Sequence, residues 1–163
     1  MKQVNWGIIG LGTIASQFAK GFEGLVSSKL LAIASKNLDK LNKFKKDLEV
    51  NNEYCFNNYQ TLIECKEIDI IYIALPTSLH HQWITKCLDE GKKVLVEKPA
   101  TMNAAEIEEI KNKYPKEKIF INEAFMYMHY PQTKKIIELI NKGEIGELIS
   151  MESSFGNNIL TKK

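Results

Sequence analysis

Apolar residues in this chain fall into short near-continuous runs, separated by stretches in which they recur with a period of about 3.6, a pattern that predicts strands and helices in turn. The first run, Val4 to Ile9, passes through Gly10-Leu11-Gly12 into Ile14, Ala15, Phe18, Ala19 and Phe22 at helical spacing. Residues 29–35 predict a second strand, and Leu38, Leu41, Phe44 and Leu48 a second helix. A short strand over 54–56 and a small helix over 59–64 lead to 68–74, whose β-branched run suits a strand buried on both faces. Leu75-Pro76-Thr77-Ser78 breaks that strand. His80, Trp83, Ile84, Cys87 and Leu88 then share one helix face, with Gly91 as the cap. Residues 93–96 form a fifth strand. Asn103 and Glu106 have the spacing of a capping box before Ile107, Ile110 and Tyr114, and 119–121 form a sixth strand. Strands alternating with helices in this way predict an α/β fold, a Rossmann-type doubly wound parallel sheet.

Past Phe125 the pattern changes. Residues 126–131 read as an aromatic linker, and Ile136, Ile137, Leu139 and Ile140 as a short helix ended by Gly143. Beyond Gly146, Ile149, Met151 and Phe155 alternate with Ser150, Glu152 and Ser154, as in a half-exposed antiparallel strand. Such a strand needs neighbours. The expected division is therefore a dinucleotide-sized domain over 1–125, followed over 126–163 by a linker helix and the first strand of a truncated second, α+β domain. An unpaired edge there predicts a homo-oligomer formed through that second part.

Composition narrows the classes. The 163 residues are 44% hydrophobic and 26% charged, enough for one real core, and a net charge of +2 is too small for a nucleic-acid surface. All 22 basic residues are lysines, so any cationic contact with a phosphate is a point charge without a two-pronged guanidinium. Cys55, Cys65 and Cys87 lack disulfide or zinc spacing, which favours a reducing cytoplasm. No signal-peptide pattern and no membrane-length apolar run is visible, so a soluble protein without a membrane partner is expected.

Gly10, Gly12 and Ala15 have G-x-G-x-x-G/A spacing between a strand and a helix, the context that makes this fingerprint informative. Gly10 would make the turn, Gly12 would let a pyrophosphate approach the backbone, and Ala15 would bring helix against strand, with Thr13 and Ile14 opening the helix toward the phosphates. A glycine-rich turn of no special function is the plain alternative. At the end of the second strand Ser35-Lys36-Asn37 replaces the acid that bonds a ribose 2′-hydroxyl. A hydroxyl and a cation there favour NADP(H), with NAD as the second candidate, and Asp39 reads as a first-turn helix acid.

Glu97-Lys98-Pro99, after Gly91-Lys92-Lys93-Val94-Leu95-Val96, resembles the Gfo/Idh/MocA oxidoreductases, relatives of glucose-fructose oxidoreductase and inositol dehydrogenase. Ala74-Leu75-Pro76 with His80, Asn122-Glu123-Ala124-Phe125-Met126 and Gly143-Glu144-Ile145-Gly146 match in the same order. The resemblance implies an NAD(P)-dependent dehydrogenase or reductase acting on a sugar, polyol or related alcohol or carbonyl. It implies that Lys98 is the catalytic proton donor and acceptor, expected to be partly buried in the crevice. It also implies cofactor contacts from Leu75, Pro76, His80, Glu97 and Lys98 besides Gly10, Gly12, Thr13, Ile14, Ser35 and Lys36. For Lys98 the plain alternative is one surface lysine among 22. His80 can equally be a structural residue starting an apolar stripe, His81 should face solvent, and Trp83 and Met126 should be core. Met128 stands where relatives commonly carry Arg, which weakens inference of the substrate by analogy. The competing class is a dinucleotide-binding sensor or a cofactor-binding fragment without turnover.

Overall fold

The computed structural model describes residues 3–154 and 156. Twelve regular elements run in order: β1 (Val4–Ile9), α1 (Thr13–Lys20), β2 (Ser28–Ala34), α2 (Leu38–Asp47), β3 (Cys55–Phe56), α3 (Tyr59–Glu64), β4 (Ile70–Ile73), α4 (His80–Asp89), β5 (Lys93–Val96), α5 (Ala104–Lys113), β6 (Ile121–Glu123) and α6 (Pro131–Asn141). The strands form one sheet in the order β3-β2-β1-β4-β5-β6, and every pair is parallel. This is the doubly wound Rossmann arrangement, with the reversal of strand order between β1 and β4.

Burial on both faces explains the apolar runs. Along β1, Ile8 turns toward a layer with Ala15, Ala19, Leu41 and Tyr72, while Ile9 turns to the opposite layer with Leu62, Ile63, Ile84 and Val94. Ile8, Ile9, Ile71 and Ile73 are all fully buried. Each such side chain contributes ~1.5–3 kcal/mol relative to exposure. On the first face Phe18 of α1 lies against Tyr72 of β4, ring centroids 4.1 Å apart, and also touches Trp6 and Phe22. On the second face Trp83 packs edge-on to Tyr59 and is buried, as its place on the α4 stripe predicts.

The chain divides into two compact units, Met1–Ala124 and Phe125–Lys163. Helix α6 of the second unit starts on Pro131, suited to a first helical position. Thr133 donates to the Tyr127 carbonyl at 2.6 Å, and Lys135 and Lys142 both bond Glu138. None of the described residues of this unit is buried.

Three expectations are corrected. The sixth strand begins at Ile121, not Ile119, because the Ile119 N–H closes a 3-10 turn over Lys116–Lys118 by donating to the Lys116 carbonyl. The strand expected after Gly146 does not form over 147–154, where Ile149 and Met151 are exposed and no neighbouring strand supplies a ladder; Phe155 lies outside the described residues. Met126, read as core, is 56% exposed in a 3-10 turn over Met126–His129. No helix among the described residues is long and apolar enough to cross a membrane.

Candidate functional site

Strand register brings the candidate residues to one edge. Ile9 pairs with Ala34 and with Ile73, Ile73 with Val96, and Val96 with Glu123. The residues that follow these rungs, Gly10, Ser35, Ala74 and Glu97, therefore leave the carboxyl edge of the sheet at one level. That edge, at the switch between β1 and β4, is where doubly wound sheets hold ligands.

The turn after β1 separates its two glycines by cause. Gly10 has φ +89°, and a Cβ there would stand 2.5 Å from the Ala74 carbonyl oxygen and 2.7 Å from Leu75 Cδ2. Gly12 is extended (φ −111°), precedes α1 as its cap, and a Cβ on it would meet nothing within 4 Å. Ala15 is fully buried against the sheet. Among the described residues no side chain caps α1 and no acid lies in its first turn, where Thr13 is exposed and Ile14 half-buried, so its first N–H groups have no side-chain acceptor.

After β2, Ser35 is buried and its Oγ accepts from the Asn37 N–H at 3.1 Å, while Asn37 Oδ1 caps α2 by accepting from Lys40 N–H at 2.9 Å. Lys36 is exposed, its Nζ 5.7 Å from the centre of the Tyr59 ring. No carboxylate occupies 35–37, and Asp39 is exposed in the first turn of α2.

After β4, half-buried Leu75 and exposed Pro76 precede a 3-10 turn, Thr77–Leu79, that runs into α4. His80 is 1% exposed, with Nδ1 2.8 Å from the Pro99 carbonyl oxygen and Nε2 2.8 Å from the Leu75 carbonyl oxygen. Both ring nitrogens are thus committed to backbone. His81, expected in solvent, is half-buried with Nε2 3.4 Å from Glu109.

After β5, Glu97 Oε1 accepts from the Tyr72 hydroxyl at 2.5 Å. Burial first, and then the Glu97 carboxylate, push the Tyr72 hydroxyl above its ordinary range, so it remains the donor. Lys98 is exposed rather than partly buried, two residues beyond the last rungs of β5. Among the described residues its Nζ makes no hydrogen bond or ion pair. The Lys98–Pro99 peptide is cis. Glu123 Oε1 accepts from the Ala100 N–H at 2.8 Å. The α5 cap follows: Asn103 Oδ1 accepts from Glu106 N–H, and Glu106 reaches back to the Met102 N–H, one residue before the position a capping box uses.

Tyr72 and Glu123 were not assigned a role from the sequence. A lone hydroxyl in an otherwise apolar strand was the available signal for Tyr72, and a carboxylate at a strand's carboxyl end the signal for Glu123. No group of three or more His, Cys, Asp and Glu side chains among the described residues could hold a metal ion.

The family model for the oxidoreductase family with an NAD-binding Rossmann fold, Gfo/Idh/MocA, matches residues 4–124. The chain belongs to the Gfo/Idh/MocA oxidoreductase family. Trans-1,2-dihydrobenzene-1,2-diol dehydrogenase of Xenopus tropicalis is 31% identical over 156 residues, covering 94% of this chain and 47% of the relative. The dTDP-3,4-didehydro-2,6-dideoxy-alpha-D-glucose 3-reductase of Actinomadura kijaniata is 32% identical over 150 residues, covering 91% of this chain and 44% of the relative. Among solved structures, scyllo-inositol dehydrogenase from Lactobacillus casei with NAD(H) and scyllo-inositol superposes with a TM-score of 0.81 at 26% identity, over 90% of this chain and 43% of that one. A 3-ketoreductase from Actinomadura kijaniata with TDP-benzene and NADP gives 0.77 at 30% identity, over 90% and 46%. This Gfo/Idh/MocA chain thus spans about half the length of the relatives it matches. The nicotinamide dinucleotide that the family implies fits the residues present, since the space beyond Gly12 and the uncapped start of α1 are what a pyrophosphate requires.

Proposed function

We propose that this chain forms the dinucleotide-binding part of an NAD(P)-dependent oxidoreductase that prefers NADP(H) and acts on a sugar, polyol or related alcohol or carbonyl. The observation that carries the reading is the single register level from which the Gly10–Gly12 turn, Ser35-Lys36 and Glu97-Lys98 all leave the sheet. A bound dinucleotide supplies the hydride acceptor or donor. Gly12 and the start of α1 hold the pyrophosphate, and Leu75 and Pro76 wall the crevice beside the turn. Lys98, exposed at the carboxyl edge, takes a proton from a substrate hydroxyl in oxidation or gives one to a carbonyl in reduction. The dehydrogenases and reductases named above act on a diol and on sugar-derived substrates, which supports the substrate class.

Lys98→Met, made in the protein as the cell produces it, should lower turnover by roughly 10²–10⁴-fold and leave cofactor affinity within about twofold. Unchanged turnover across a panel of sugars and polyols would refute the role. The cofactor preference rests on Lys36 and on the missing acid. Titration at matched low salt should show NADPH bound about tenfold more tightly than NADH, with Lys36→Glu removing the difference and added salt shrinking it. Equal or weaker binding of NADPH by the unaltered chain would count against NADP.

A further inference from the structure

The segment that carries Lys98 is held by side chains from three elements other than its own. Tyr72 of β4 bonds the Glu97 carboxylate, His80 of α4 meets the Pro99 carbonyl, and Glu123 of β6 accepts from the Ala100 N–H. Residues on both sides of Lys98 are therefore tied down, while the Lys98 amine makes no hydrogen bond or ion pair among the described residues. We propose that His80 and Glu123 are positioning residues: by clamping the backbone at Pro99 and Ala100 they fix where the Lys98 amine stands. This inference rests on the reading of Lys98 as the proton donor and acceptor.

Each contact has a feature that simple loop stabilisation does not require. The His80 ring bridges two carbonyls from different strand ends, Leu75 after β4 and Pro99 after β5, at 2.8 Å each. It thereby ties the turn facing Gly10 to the turn that carries Lys98. A neutral ring donates to one of these two carbonyls and only packs against the other, whereas a protonated ring donates to both. Glu123 stands opposite Val96 in the β5–β6 register, one strand from the segment it grips. A carboxylate accepting a backbone N–H makes one of the stronger hydrogen bonds available to a protein. Its donor, Ala100 N–H, is not part of the α5 cap, which Asn103 and Glu106 already complete. Among the described residues, the hydrogen bond of the Glu123 carboxylate goes to the Lys98 segment.

Replacing buried His80 disturbs the core, so Glu123 carries the test. In the protein as the cell produces it, Glu123→Ala should lower kcat by about 10–100-fold, the range expected for a reacting group displaced by about 1 Å. The KM for substrate and the dissociation constant for NADPH should stay within about twofold. Glu123→Gln retains an oxygen that can accept from Ala100 and should recover most of the lost kcat. Independently of activity, hydrogen exchange at the Ala100 amide should accelerate at least about tenfold in Glu123→Ala and return toward the original rate in Glu123→Gln. Turnover of Glu123→Ala equal to the unaltered enzyme, alongside an inactive Lys98→Met, would overturn the clamp and leave the Lys98 reading intact. So would failure of Glu123→Gln to recover kcat. Full activity of Lys98→Met would remove both.

Discussion

Gly10 and Gly12 lie two residues apart and lack side chains for unlike reasons, and this separates stability from binding. At Gly10 the backbone has φ +89° and the Ala74 carbonyl occupies the place of a Cβ. Gly10→Ala should therefore destabilise the fold by ~1–3 kcal/mol from the backbone conformation alone, with the overlap adding to it. At Gly12 the backbone is extended and the space is open. Gly12→Ala should leave the thermal midpoint unchanged or slightly raised, yet weaken NADPH binding at least tenfold by filling the room of the pyrophosphate. Denaturation and cofactor titration of both variants check this, and a Gly12→Ala protein with undiminished affinity would contradict the proposed seat. The glycines were readable from their spacing between a strand and a helix, although the Ala74 carbonyl that excludes a Cβ at Gly10 comes from a distant strand end. Side-chain partners were not: Ser35 promised a hydroxyl to a ligand, whereas its Oγ also accepts from Asn37 N–H. His80 was legible as the first residue of an apolar stripe, but its two carbonyl partners lie 5 and 19 residues away in the chain. A contact made across that separation leaves no period in the sequence.

At the scale of elements, strands buried on both faces were the most legible, since an unbroken apolar run can satisfy both layers only in a central strand. β1, β4 and β5 are of this kind, and all three deliver site residues. Helix starts were readable where a polar side chain meets an N–H a few residues on, as with Asn103 and Glu106. β6 was displaced by two residues because Ile119 looks like a strand residue by composition, while its N–H is already used by the turn begun at Pro115. That displacement matters to the site. Moving the strand forward places Glu123, not Ile121, at its carboxyl end beside Ala100. The alternation after Gly146 failed for the opposite reason: the pattern was present, but the described chain offers no strand to pair with it. Alternation predicts which face a strand would bury, and pairing decides whether the strand exists.

At the scale of the molecule, the two units differ in what holds them. All six strands of the described residues lie within Met1–Ala124, as do both apolar layers. The last rung also belongs to that unit, since Ala124 N–H donates to the Val96 carbonyl at 2.9 Å. From Phe125 onward no described residue is buried, and α6 carries Ile136 and Ile137 about half exposed. The residues proposed to hold the cofactor, Gly10 to Lys98, fall wholly in the first unit. A chain ended after Ala124 should consequently fold alone. Its thermal unfolding should remain a single cooperative transition, with a midpoint within about 5 °C of the longer chain, because removing surface residues takes away no layer of the core. NADPH affinity should stay within about threefold. Loss of the cooperative transition, or of binding, would show that residues after Ala124 complete the first unit instead of following it.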